Sequence, residues 1–196
     1  MDEFRRLDPD SMMSRRRFAA TVPLLLALPV FPRLVGGMQD KEPAKSPDRL
    51  FAPKEWERIQ SSAMARDMEN YFGKGYSCAE SLLMTALRRM RQPENLVWTA
   101  AGFGGGMGQK DLCGFLTAGF MALGLAAGQL KLERKEAKAR SAEITKTYWN
   151  WWRESFPLHC AEIRTPGADR DTCRRLGLRA AARLDDLLGQ IGPVSG

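Results

Sequence analysis

From Asp111 to Ala127 the chain carries almost no polar side chain. Leu112, Phe115, Leu116, Ala118, Phe120, Met121, Ala122, Leu123 and Leu125 fall on every side of a helical wheel. A helix without a polar face belongs in the middle of a bundle, so the flanking segments must supply its cover. Several of them have the spacing to do so. Pro53 to Tyr71 puts Trp56, Ile59, Ala63, Met64, Met68 and Tyr71 near one face, and Ser77 to Met90 does the same with Ala79, Leu82, Leu83, Ala86, Leu87 and Met90. Gly73 and Gly75 separate these two helices. A short third helix is expected from Pro93 to Ala101, a long one from Leu132 to Phe156 and a last one from Arg170 to Leu188. No stretch alternates with the period of a strand. The expected fold is all-α: a single compact bundle of about five to six helices with a Gly-rich loop.

The N-terminal residues read differently. Ser14-Arg15-Arg16-Arg17-Phe18 precedes a moderately apolar run, Ala19 to Phe31, that Pro23 and Pro29 interrupt. A charged start, a short apolar run and a small-residue end make a secretory signal, and the paired arginines match the twin-arginine pattern. The run is too short for a membrane span, which needs about 20 apolar residues. Val35-Gly36-Gly37 is the best cleavage site. The expected organisation is a signal peptide at 1–37, a linker at 38–53, a helical four-cysteine domain at 54–190 and a tail at 191–196. Such a chain crosses folded, through the twin-arginine translocation machinery, to the periplasm or the outer face of the cytoplasmic membrane.

Charge and histidine content exclude several functions. The formal charge is +7, but residues 1–37 hold six Lys/Arg against four Asp/Glu, so +5 lies in the remainder, spread over helices. With no aromatic-basic module beside that charge, no nucleic-acid partner is expected. A single histidine, His159, leaves no Ser-His-Asp arrangement and no C-x-x-C-H haem attachment.

Four cysteines remain as the chemistry. Cys78 follows Ser77, a preferred N-cap, and Cys113 lies two residues after Asp111, another good cap, so both are expected in first helical turns. There the exposed backbone N–H groups and the helix dipole favour negative charge, which lowers a thiol pKa and yields the thiolate, the form that ligates metals and attacks electrophiles. Cys160 lies in or beside a short turn after Pro157, and Cys173 in the first turn of the last helix, thirteen residues on. His159 is a candidate fifth ligand or proton donor. Gly104, Gly105, Gly106 and Gly108 precede Cys113 and would let the backbone approach a bound group closely. No strand precedes this run, so it is not a dinucleotide loop. Trp149, Trp151 and Trp152 read as core, and equally suit a subunit interface in a homodimer.

Gly75-Tyr76-Ser77-Cys78-Ala79-Glu80, Gly102 to Gly108, Cys113-Gly114, Met121 to Leu125 and the two later cysteines together resemble the C-GCAxxG-C-C family of redox-active proteins. The same module occurs in the non-haem part of split-Soret cytochromes. The resemblance covers roughly residues 55–190 and implies that Cys78, Cys113, Cys160 and Cys173 are the four family positions. It further implies redox activity through them and an iron–sulfur or other metal centre. Two positions depart from the family motif: Phe115 stands for Ala and Ala118 for Gly. Thiolate-only ligation suits an iron–sulfur cluster, and such a protein would exchange electrons with a partner protein. A thiol–disulfide protein, or an accessory module with a four-cysteine zinc site or two static disulfides and no cofactor, are the other readings.

Overall fold

A computed structural model describes residues 51–166 and 170–191. The expected signal peptide, most of the linker and nearly all of the tail lie outside the described residues. Seven α-helices are described: α1 (Pro53–Ser61), α2 (Ala63–Gly73), α3 (Cys78–Arg89), α4 (Gly114–Gly128), α5 (Arg134–Ser155), α6 (Cys160–Ile163) and α7 (Arg170–Ile191). A 3-10 segment, Glu94–Phe103, and a wide turn, Gly106–Lys110, connect α3 to α4. Among the described residues there is no strand, only an isolated bridge. No described helix is long and apolar enough to cross a membrane. The fold is all-α, as the sequence requires.

α4 is the centre. It touches α3, α5, α7 and the 3-10 segment, and Phe115, Leu116, Ala118, Ala122 and Leu123 are almost completely buried. Removing a leucine or phenylalanine side chain of this kind from water stabilises the fold by about 1.5–3 kcal/mol. α3 is also buried on nearly every side, beyond the single face its spacing predicts, because its other positions are small or self-satisfied. Ser81 donates to the Ser77 carbonyl at 2.8 Å and Thr85 to the Met64 carbonyl at 3.2 Å. Hydroxyls that return their proton to the backbone can enter a core without an unpaired group.

The expected first helix is two. Ser62 adopts extended backbone between α1 and α2 and caps α2, its Oγ accepting from the Ala65 N–H at 3.2 Å and donating to Asp185 at 2.8 Å. Asp185 also receives Arg89 Nε at 3.0 Å, so one α7 carboxylate joins the α1–α2 break to the end of α3. That break rotates Trp56 out of the core, where it stacks on Phe51 at 5.2 Å. α1 docks on α7 through Glu55 and the buried Arg179, 2.9 Å apart, whose guanidinium lies 4.5 Å over the Phe51 ring.

α5 is mostly exposed and buries one stripe, Ile144, Tyr148 and Trp152. Tyr148 reaches α4, donating from its hydroxyl to the Phe115 carbonyl at 3.2 Å. Gly119 is the reason it fits: a Cβ there would collide with the Tyr148 ring. Trp152 is core, while Trp149 and Trp151 are half-buried around it.

Candidate functional site

Each cysteine stands at the start of a helix. Cys78 is the first residue of α3, behind a reciprocal cap in which Ser77 Oγ accepts from the Glu80 N–H at 3.3 Å and Glu80 accepts from the Ser77 N–H at 2.9 Å. Cys160 is the first residue of α6, where the His159 N–H donates to the Glu162 carboxylate at 3.1 Å. Cys173 is in the first turn of α7. Cys113 departs from expectation. Asp111 is not the cap of α4; Cys113 itself occupies the N-cap position, with extended backbone (φ −60°, ψ 131°), and the helix begins at Gly114.

The displacement has a cause in the pairing of chain segments. Leu112 and His159 form an antiparallel bridge, with the Cys113 N–H donating to the Leu158 carbonyl at 2.9 Å and the Cys160 N–H to the Asp111 carbonyl at 2.7 Å. Residues 111–113 are therefore extended, and Asp111 is held by His159 Nδ1 at 2.8 Å instead of capping a helix. His159 does not line the space between the cysteines. It pins the two cysteine-bearing segments together.

The glycine run does not lie open as a simple loop. Gly105, Gly106, Met107 and Gly108 all have positive φ, between 55° and 69°, and so make a turn of left-handed helix. An L-residue pays roughly 1–2 kcal/mol for that hand, which is why three of the four are glycine. The turn brings backbone against side chain at two points. A Cβ on Gly106 would stand 2.9 Å from Cys160 Cβ and closer still to the Asp111 backbone, and one on Gly104 would stand 2.6 Å from Ser77 Cβ. Past the turn, Gly114 does the same for the first cysteine, since a Cβ there would lie 2.5 Å from Cys78 Sγ. Gly108 has open space around it.

All four cysteines consequently line one cavity of about 430 Å³, with Gly105, Phe72, Phe115 and Ser77 among its walls. No disulfide joins them. Cys113 and Cys160 are buried, at 5% and 6% exposure, while Cys78 and Cys173 are half-buried. Burial pushes the Cys113 thiol well above the ordinary range, and the neighbouring Cys78 adds to that; the Phe115 and Leu116 N–H groups favour its thiolate but do not overcome the lost hydration. Those N–H groups face the sulfur without closing a cap hydrogen bond to it. Burial likewise raises Cys160, again with Cys78 adding, while Arg164 and Lys110 pull the other way. Helix-start positions alone predict lowered values at these two sites; desolvation reverses the sign. Tyr148, buried beneath Cys113, is raised well above the tyrosine range by the same cause.

Among the described residues, no three of His, Cys, Asp and Glu are grouped tightly enough to hold a single metal ion. The four cysteines nevertheless share one chamber. The side chains absent from the sequence reading are Phe72, Ile163, Arg164 and Leu176, which complete its walls. Only Phe115 among the apolar ones had a visible signal, its place two residues from Cys113. The others come from different helices and carry no local mark.

A family model described as "Putative redox-active protein (C_GCAxxG_C_C)" matches residues 76–187. No curated protein matches the chain, and no solved structure does.

Proposed function

The chain belongs to the C_GCAxxG_C_C family of redox-active proteins, and on that premise we propose that Cys78, Cys113, Cys160 and Cys173 hold an iron–sulfur cluster for electron transfer. The observation that carries this reading is that four sulfurs from four helix starts face one cavity of about 430 Å³. The donor set is thiol only, which is the chemistry of these clusters. When bound, the cluster supplies one-electron exchange.

The chain's own residues supply the rest. Phe72 and Phe115 keep water from the buried side of the chamber, and Phe115 narrows it where the family motif has Ala. Cys113 and Cys160, held as thiols by burial, each release a proton on ligation, so loading is favoured by rising pH. Arg164 and Lys110 offset part of the negative charge that four thiolates bring. The half-buried Cys78 and Cys173 mark the side facing solvent, from which a partner protein would exchange electrons. Twin-arginine export to the periplasm or the outer face of the cytoplasmic membrane fits a domain whose site exists only when folded, because that route carries folded chains. A homodimer through the half-buried Trp149 and Trp151 is compatible with their exposure.

One observation favours a second reading, a thiol–disulfide protein. Cys78 is the sulfur with which both buried thiols interact, so it could pair with either. The test is anaerobic reconstitution of residues 38–196 with iron and sulfide. The cluster reading expects visible absorption near ~400 nm, with iron and acid-labile sulfide lost in each Cys→Ser variant. A colourless protein retaining four titratable thiols and no sulfide would refute it, and a single tightly held zinc would replace it with the structural site.

A further inference from the structure

The chamber has one cationic wall. Arg164 lines it, immediately after α6, its backbone N–H donating to the Cys160 carbonyl at 2.8 Å. No carboxylate lines the chamber with it. Among the described residues the Arg164 guanidinium enters no ion pair or hydrogen bond. Lys110 lies outside the chamber's lining, on the turn that packs against α6, from where its charge acts on Cys160 together with that of Arg164. Lys110 also enters no ion pair among the described residues. The large side chains of the remaining lining are apolar: Phe72, Phe115, Ile163 and Leu176. A cavity of this size, with apolar walls and a few convergent polar groups, has the form of a small-molecule pocket.

We infer that in its thiol form the chamber is a binding pocket for a small anionic molecule. Arg164 holds its charged group, with Lys110 adding positive charge from the adjoining turn, and Phe72, Phe115 and Ile163 hold its apolar part beside the cysteines. The chemical class is a carboxylate-bearing disulfide, since the charge recognises the anion and a cysteine thiolate can exchange with its S–S bond. In that exchange a cysteine thiolate attacks the disulfide, the S–S bond breaks, a mixed disulfide forms and one thiolate leaves. A neighbouring cysteine then displaces the second thiolate, so two cysteines are oxidised and the reagent is reduced. The inference uses the same chamber as the proposed cluster but needs only the thiols.

The probes are dithiobis-nitrobenzoate, a dianionic aromatic disulfide, and dithiodipyridine, its neutral counterpart. Stopped-flow rates are measured for both on the metal-free thiol form of the full chain. Reversing Arg164→Glu and Lys110→Glu together should lower the anionic-to-neutral rate ratio by about tenfold or more, the range expected of a charged cleft. Lys138→Glu, an exposed reversal on α5, should leave the ratio alone. Nitrobenzoate, which has the charge and ring without the disulfide, should protect saturably in the parent and not in the double variant. Thermal melting checks that each variant is folded, and Arg164→Gln with Lys110→Gln gives a milder pair for the same ratio. An unchanged ratio, an equal loss in Lys138→Glu or a lack of saturable protection each overturns the inference. Iron and sulfide content play no part in this readout, so the pocket can fail while the cluster stands, and the reverse.

Discussion

Replacing Gly114 by alanine should separate two opposed effects of the same methyl group. The backbone of Gly114 is helical, so alanine is conformationally allowed, and helix propensity alone would favour it by up to about 1 kcal/mol, less at a first helical position. The methyl has nowhere to go. It would lie 2.5 Å from Cys78 Sγ, 2.9 Å from the Phe103 carbonyl oxygen and 3.1 Å from the Ala79 nitrogen. Two of these three are backbone atoms that cannot rotate aside, so the starts of α3 and α4 must part. Overpacking of this kind costs about 1–3 kcal/mol, giving a net loss of about 1–2 kcal/mol. Gly124, ten residues along the same helix, has nothing within 4 Å of its Cβ position, and Gly124→Ala should stabilise by about 0.5–1 kcal/mol. The two variants thus differ by about 2 kcal/mol, or about 1 M in urea midpoint at an m-value of about 2 kcal/mol/M. Urea unfolding followed by circular dichroism reads this directly. Gly119→Ala, which strikes the Tyr148 ring, should also destabilise but leave iron uptake intact, whereas Gly114→Ala should impair uptake by moving Cys78. Equal midpoints for Gly114→Ala and Gly124→Ala would refute the close approach of α3 and α4.

Two further outcomes follow from the buried groups. The thiol form should lose stability at alkaline pH: with Cys113 raised above its unfolded value, the unfolded chain releases its proton first, so stability is full below about pH 8.5 and falls by about 1.4 kcal/mol per pH unit above it until the folded thiol ionises. Cys160 acts in the same direction, Cys113→Ser should flatten the curve, and urea midpoints across the alkaline range check both. Glu55→Ala should destabilise by about 1–3 kcal/mol, because it removes a charged hydrogen-bond partner at 2.9 Å from the buried Arg179; thermal melting of the variant decides it.

The elements near the site were legible where the signal is local. Ser77 and Glu80 state the start of α3 in four letters, and the unbroken apolar run of α4 admits only a central place. What escaped depends on partners distant in sequence. Ser62 looks like one polar residue on a continuing helix until Asp185 arrives to hold it. Asp111 has every property of a cap, yet loses that role to Cys113 because residues 158–160 pair with it. The glycine run was read as room for a bound group; its left-handed course and its contacts with Ser77 and Cys160 follow from packing, not composition. Four cysteines could be named as a set; the chamber walls from Phe72, Ile163 and Leu176 could not. The direction of the Cys113 shift was misjudged for the same reason, since burial is a property of the assembled helices.

Because every sulfur enters from its own helix, no fragment of this chain can grip an occupant with two neighbouring ligands. Successive cysteines lie 35, 47 and 13 residues apart, so whatever joins them staples three loops at one knot. Each closure withdraws freedom chiefly from the unfolded chain, and the longest loop contains the whole of α4 and α5. An occupant would therefore act as a keystone: absent, the helices stand by their own packing; present, no one of them can peel away without unseating it.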